Sequence, residues 1–219
     1  MKKLLSVLAI AAMASTAHAQ LWFGGSISIS NNGGINKTSE YEHKTAANSS
    51  FSLAPMVGFG LNEKLSIGGM LNIETSTSKS FRYDADDKET TNKFVTNSVG
   101  VTPFVRYTFV EFNKFGLMAE AGLPIAYSSS KTVDGSETTK GDPTTSVGLY
   151  AVPMLTYGLN DHISLECALD FLSLNTTYNI TTDRDDSSKS TVTRSFDFGV
   201  DSRTVATVGR IRIGFIYKL

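Results

Sequence analysis

The chain has 219 residues, a formal net charge of −1, a mean hydropathy of −0.07 and one cysteine. The near-neutral balance excludes the strong basic field that a nucleic-acid partner requires. A lone thiol excludes an internal disulfide framework.

The chain opens on Lys2-Lys3, followed by a short apolar run from Leu4 to Met13 and the small-x-small site Ala17-His18-Ala19. This is the layout of a secretory signal peptide cleaved after Ala19. The run is too short to cross ~30 Å of hydrocarbon as an anchor helix. Gln20 rather than a cysteine stands at the cleavage point, so a lipoprotein anchor is not expected. The expected organisation is a leader over 1–19 and one all-β domain over 20–219.

Eight strands are expected, at about 20–30, 51–60, 64–75, 95–109, 115–127, 146–157, 162–174 and 204–219. Three short turns lie near 61–63, 111–114 and 159–161. Four long polar stretches, 31–50, 76–94, 128–145 and 175–203, read as loops. Short and long connections alternate. An up-and-down barrel then gathers all short turns at one rim and all long loops at the other. Transmembrane barrels have this asymmetry, with short periplasmic turns and long extracellular loops.

A repeat supports paired hairpins. Pro55-Met-Val-Gly-Phe59-Gly-Leu61-Asn62 matches Pro153-Met-Leu-Thr-Tyr157-Gly-Leu159-Asn160, and Pro103-Phe-Val-Arg-Tyr107 is a looser copy. Each unit holds two strands, too few for a propeller blade. A closed barrel has no free edge for a proline, so a local bulge or a rim position is expected.

Side chains alternate across a sheet with period two. Odd residues are the apolar ones: Ile163, Leu165, Cys167, Leu169 and Phe171 in the seventh strand, and Ile211, Ile213, Phe215 and Tyr217 in the eighth. Even residues are small or polar. The phase fails at Phe196, Phe198 and Val200, so a register break is expected near Asp201-Ser202.

Three features favour an apolar face turned outward to lipid over a soluble exported barrel with that face inside. The polar face is rich in Gly, Ala and Ser, which suits a narrow lumen. Odd-face aromatics crowd the short-turn rim: Phe59, Tyr107, Phe109, Phe115, Tyr157, Phe215 and Tyr217. Membrane barrels carry such girdles at the interface. The leader exports the chain to where such barrels are found.

The signal peptide, the Pro-x-x-Gly-Phe-x-Leu-Asn hairpin at 55–62 and the closing strand Ile211 to Leu219 resemble the small eight-stranded outer-membrane proteins of the OmpA/OmpX type, in particular the barrel proteins of Bacteroidetes. The resemblance covers essentially the whole mature chain. It implies an eight-stranded antiparallel up-and-down transmembrane β-barrel in the outer membrane of a Gram-negative bacterium. It also implies contact with outer-membrane lipid and lipopolysaccharide, and recognition of the last strand by the assembly machinery. That strand usually ends on an aromatic, and here it ends on Leu219.

The even face carries Glu74, Glu120, Glu166 and Asp170 together with Arg106, Arg210 and Arg212. Folding about residue 113 sets Arg106 opposite Glu120, and folding about residue 160 sets Tyr150 opposite Asp170. Barrel closure brings Arg210 and Arg212 toward Glu166 and Asp170. Buried ions must be paired, and eight strands leave room for side chains only. A structural salt-bridge plug is therefore favoured over a charged conduit.

No enzyme, cofactor or metal site is expected. Salt-bridged acids stay ionised, unlike a glycosidase acid. His43 and His162 fall at opposite rims, without serine partners for nucleophilic catalysis or each other for metal. The acidic stretches Asp84–Glu89 and Asp183–Asp186 read as solvated loop charge. The expected function is a non-enzymatic surface scaffold whose extracellular partner is unknown. The alternatives are a narrow porin-like conduit and a soluble exported binding barrel.

Overall fold

The computed structural model describes residues 21–38, 41–84, 89–169, 172–200 and 212–218. The leader at 1–19, Asp170, Arg210, Leu219 and the expected break near 201–202 lie outside the described residues. The described chain is all β: β1 Leu21–Lys37, β2 Glu42–Gly60, β3 Leu65–Tyr83, β4 Glu89–Phe112, β5 Phe115–Gly122, β6 Ile125–Asp134, β7 Glu137–Lys140, β8 Thr144–Gly158, β9 Ile163–Ala168, β10 Leu172–Thr182, β11 Ser190–Val200 and β12 Arg212–Lys218. No helix among the described residues is long and apolar enough to cross a membrane, which says nothing of strands.

The ladders are antiparallel and close a ring. In order they run β1, β2, β3, β4, β5, β8, β9, β12 and back to β1. That circuit is compatible with the eight staves expected from the sequence. Closure comes from Trp22↔Lys218 through Ser26↔Gly214. Toward the long-hairpin end the path passes from β4 to β6, β8, β10 and β11. Among the described residues β11 and β1 share no ladder there.

The short turns follow from their sequences. In the repeated Leu-Asn step, Asn62 Oδ1 accepts from the backbone N–H groups of Lys64 and Leu65 at 2.9 and 2.8 Å. Asn160 does the same with His162 and Ile163 at 2.9 and 2.7 Å. Such Asx turns satisfy the donors that a tight reversal leaves open. The third turn instead puts Asn113 at φ 53°, a left-handed conformation that asparagine tolerates.

The long stretches differ from expectation. They are largely paired hairpins, with β1–β2 continuous to Lys37↔Glu42 and β3–β4 to Tyr83↔Glu89. Their Ser, Thr and Asn content reads as loop by composition, yet threonine supports strand wherever a neighbouring strand supplies hydrogen bonds.

The prolines sit within staves rather than at a rim; the register runs unshifted past Pro55 and Pro103, whereas a shift of the expected local kind falls at Pro153. Pro55, Pro103 and Pro153 each pair with the preceding strand, opposite Gly25, Gly69 and Ala119. The missing N–H falls on the other side, where the ladder to the next strand is interrupted. Their carbonyls remain in use on that side in two cases: Pro103 O accepts from Leu123 N at 3.0 Å and Pro153 O from Leu169 N at 2.8 Å. Further register shifts lie between Thr108 and Val110, leaving Phe109 unmatched, and between Gly34 and Ile35.

The interruption at Pro153 also introduces a face exchange ahead of β10, earlier in the chain than Phe196. Below it Met154 pairs with Ala168, and above it Ala151 pairs with Leu174. The register thus slips by three residues, an odd number, which exchanges the two faces. Leu172 and Tyr178 consequently point outward, and Phe196 and Phe198, opposite Thr176 and Leu174 on the same face, are strongly exposed. The reversal already exists in β10, before the turn to β11. This register is testable by cross-linking in a Cys167→Ala background. Leu149→Cys with Thr176→Cys should form a disulfide, seen as a reductant-sensitive gel shift, because directly paired strand residues lie within disulfide reach. Leu149→Cys with Ser173→Cys, the pair an unslipped register would align, should not.

Candidate functional site

The lumen is built by even residues of the lower staves. One row runs around the wall as Trp22, Gly58, Gly68, Phe104, Gly122 and Tyr150, each a Cα partner of the next. A Cβ added to Gly58 would strike Trp22, one on Gly68 would strike Phe104, and one on Gly122 would strike Tyr150. The glycines therefore let three large rings lie against the wall and fill the cross-section.

Arg106 occupies the centre of this tier. Its Nε donates to Glu120 Oε2 at 2.7 Å, and its Nη1 and Nη2 donate to Glu166 Oε1 and Oε2 at 2.7 and 3.2 Å. The guanidinium also lies 4.8 Å from the Trp22 ring and 4.9 Å from the Phe104 ring. Tyr150 donates to Glu120 Oε1 at 2.5 Å. Arg106, Glu120 and Glu166 are only 3%, 2% and 3% exposed. Charges so removed from water hold together through short charge-assisted bonds. No buried side-chain polar atom among the described residues lacks a hydrogen-bond partner.

Apolar side chains pack around the ions. Met56 and Met70 join Trp22 and Phe104 on one wall, and Val152, Met154 and Ala168 form a second cluster opposite, with Met118 against it. The methionines adapt to the irregular space that the rings leave. A cavity of about 20 Å³ remains beside Arg106, room for about one water.

Above this plug the wall changes character. Asn48 bridges Asn32 and Ser78, Ser128 bonds Ser98, and Ser146 bonds Asn179. The upper wall is thus hydroxyl- and amide-lined.

The structure sorts the sequence-predicted residues. Arg106 does face Glu120. Glu166 joins them from across the lumen, a contact that strand pairing alone does not show. Tyr150 departs from expectation: the turn centres on residue 161 rather than 160 and the ladder then slips by three, so Tyr150 pairs with Asn175 instead of Asp170, and its hydroxyl serves Glu120. Glu74 also departs. It is exposed between Ser52 and Ser98, eight residues along β3 from the Arg106 partner Ser66, or roughly 26 Å. Arg212 pairs at its backbone with Ala168.

Outside, Tyr107, Phe109, Phe115, Tyr157 and Tyr217 are exposed near the short-turn rim, and Phe59 is half-buried there. Tyr107 meets Phe109 edge-on and Phe115 packs on Tyr157. Phe215 pairs at its backbone with Gly25 and Leu165. Sequence reasoning missed Phe112, exposed at the same rim, and the inward roles of Trp22 and Phe104. The signal for the latter was available as large aromatics alternating with glycine across neighbouring strands.

The two histidines lie apart, His43 stacked between Tyr41 and Tyr83 and His162 beside Tyr217. Asp183 and Asp186 cap their own turn, with Asp183 accepting from the N–H groups of Asp185 and Asp186. The Ser188 hydroxyl and Lys189 hold the Asp186 carboxyl below the usual carboxylate range.

No family model and no curated protein matches the sequence. Solved structures do show likeness. Neisserial surface protein A is 15% identical over 92% of this chain and 96% of its own, with a TM-score of 0.38. A major outer membrane protein from Thermus thermophilus is 15% identical over 91% and 99%, at 0.43. Ail, the attachment invasion locus protein of Yersinia pestis, is 11% identical over 92% and 97%, at 0.32. Likenesses this distant carry no argument about function.

Arg106→Ala strands two buried carboxylates and should cost about 3–5 kcal/mol. In urea unfolding, Arg106→Ala combined with Glu120→Ala should destabilise by less than the sum of the single changes, as contacting residues do. Simple additivity removes the pairing from the account.

Proposed function

We propose that this chain is an integral outer-membrane β-barrel of a Gram-negative bacterium and a non-enzymatic scaffold with a plugged lumen that presents hairpins to the exterior. The observation that carries the reading is the inverted distribution of side chains. An ion-paired cluster is buried inside, while Ile67, Leu71, Val99, Val101, Val105 and Leu165 are exposed outside on one continuous face. A water-soluble barrel has no reason to expose such a surface.

The dimensions agree. On β4 the apolar outer residues run from Val99 to Phe109. Ten residues at ~3.3 Å, tilted by about 40°, give a belt of roughly 25 Å, the height of an outer-membrane hydrocarbon band. The aromatic rim at one end of that belt fits a membrane–water interface.

The plug argues for a scaffold over a conduit. The one cavity described at the level of Arg106 is about 20 Å³, too small for a hydrated solute. The leader over 1–19, contact with lipopolysaccharide, and handling of β12 by the assembly machinery through Phe215 and Tyr217 belong to the same proposal. So does an extracellular partner met by the hairpins.

Fractionation followed by a heat-modifiability gel tests location and closure together. The wild type should migrate faster unheated, and recovery from the periplasm without detergent would sink the membrane reading. Leu165→Arg, on the outer face, should cost about 2–4 kcal/mol and lose the fast-migrating form. In planar bilayers the protein should give no steady conductance, and regular salt-dependent openings would replace the scaffold with a channel.

A further inference from the structure

The outer face of the sheet above the belt holds an arrangement that the scaffold reading leaves unused. Lys79 on β3 is the direct Cα partner of Lys93 on β4. Lys131 on β6 is the direct partner of Lys140 on β7. The two pairs adjoin, because Lys131 lies opposite Val95, two positions along β4 from Lys93. Neither the β3–β4 nor the β4–β6 ladder shifts register here. Lys79, Lys93 and Lys131 therefore share the outer face with Ile73, Val99 and Tyr127 by strand alternation.

Like charges directly opposite in a sheet repel and destabilise it. Among the described residues none of the four lysines makes a salt bridge. Glu89, on the same face, is at the hairpin end and accepts from Tyr83 and Thr91. Asp142, just beyond Lys140, accepts from the Arg184 backbone at 3.0 Å. Two adjoining repulsive pairs are tolerable where a polyanion lies between them.

Position selects the anion. The patch begins four to six residues above the top of the apolar belt, or roughly 10–15 Å along the membrane normal. Lysine stems reach several ångströms back toward the interface. That is the level of lipid headgroups in the leaflet on the long-hairpin side. We propose that Lys79, Lys93, Lys131 and Lys140 form a binding site for the phosphate groups of a phosphorylated outer-leaflet lipid. The assignment rests on the membrane-spanning reading above.

The test compares wild type with the Lys79→Gln, Lys93→Gln, Lys131→Gln, Lys140→Gln variant, folded in phosphatidylcholine vesicles. Bisphosphorylated lipid A is then added, or the same lipid with its phosphates removed. Heat-modifiable mobility in pure phosphatidylcholine reports the barrel itself, and both proteins should show it. If neither does, the membrane reading falls and this assignment with it. With the barrel intact, bisphosphorylated lipid A should raise the wild-type melting temperature in a salt-sensitive way, as exposed charge contacts require. The dephosphorylated lipid should not. The variant should bind the phosphorylated lipid at least about tenfold more weakly, since it loses the attraction of four interfacial lysines to phosphate. Equal responses from variant and wild type, or from the two lipids, overturn the proposal. Displacement by millimolar inorganic phosphate also overturns it, in favour of a free-phosphate site.

Discussion

The constraint on which everything else depends is that a sheet without free edges must satisfy every strand N–H and C=O within itself. A sheet meets this only by closing. Here the ladder between β1 and β12 completes the circuit. Closure fixes the circumference, and the circumference fixes how much side chain the interior accepts. The Gly58, Gly68 and Gly122 positions, the flat rings across from them and the compact Arg106 cluster are all answers to one small radius. The prolines obey the same rule. Each removes one donor, and in each case the loss falls on the same side of its strand, so the sheet is interrupted without being opened.

The lumen divides into two parts with different physics. The lower part is closely packed with rings, thioethers and ions, and its carboxylates find their partners within the protein. The upper part is lined by hydroxyls and amides that bond to one another and to solvent. A charge in the lower tier is held in one arrangement, whereas Glu74, only eight residues along β3, meets water. Burial rather than residue type decides which acids belong to the plug.

Much of this was legible in the sequence, for identifiable reasons. Alternation with period two is local, so the outward phase of Ile67, Val101 and Leu165 reads directly. Folding about residue 113 also sets Arg106 opposite Glu120, and the bulge at Phe109 is what brings the ladder into that register. Other features did not. The pairing of Arg106 with Glu166 crosses the lumen and depends on closure. Tyr150 leaves the Asp170 register because counting back from residue 160 assumes both a turn centred there and an uninterrupted ladder, whereas the turn centres on 161 and the ladder slips opposite Pro153. The hairpin extensions were hidden by composition, since Ser and Thr are as common in solvated strands as in loops. The lumen roles of Trp22 and Phe104 were hidden because an aromatic at an even position looks like an exception until the glycine beside it is noticed.

The β1–β12 seam has a consequence for timing. Trp22 and Lys218 are direct partners, yet they stand near opposite ends of the 219-residue chain. Contacts between such distant positions are slow to form, because nearly the whole loop entropy must be overcome first. Until they form, β1 and β12 are both free edges, able to pair with any other strand. The barrel therefore passes through a state that is fully delivered but unsealed. In that state Trp22, the only tryptophan in the sequence, has lost its β12 neighbour. The chain thus carries a natural optical reporter at the place where its assembly ends.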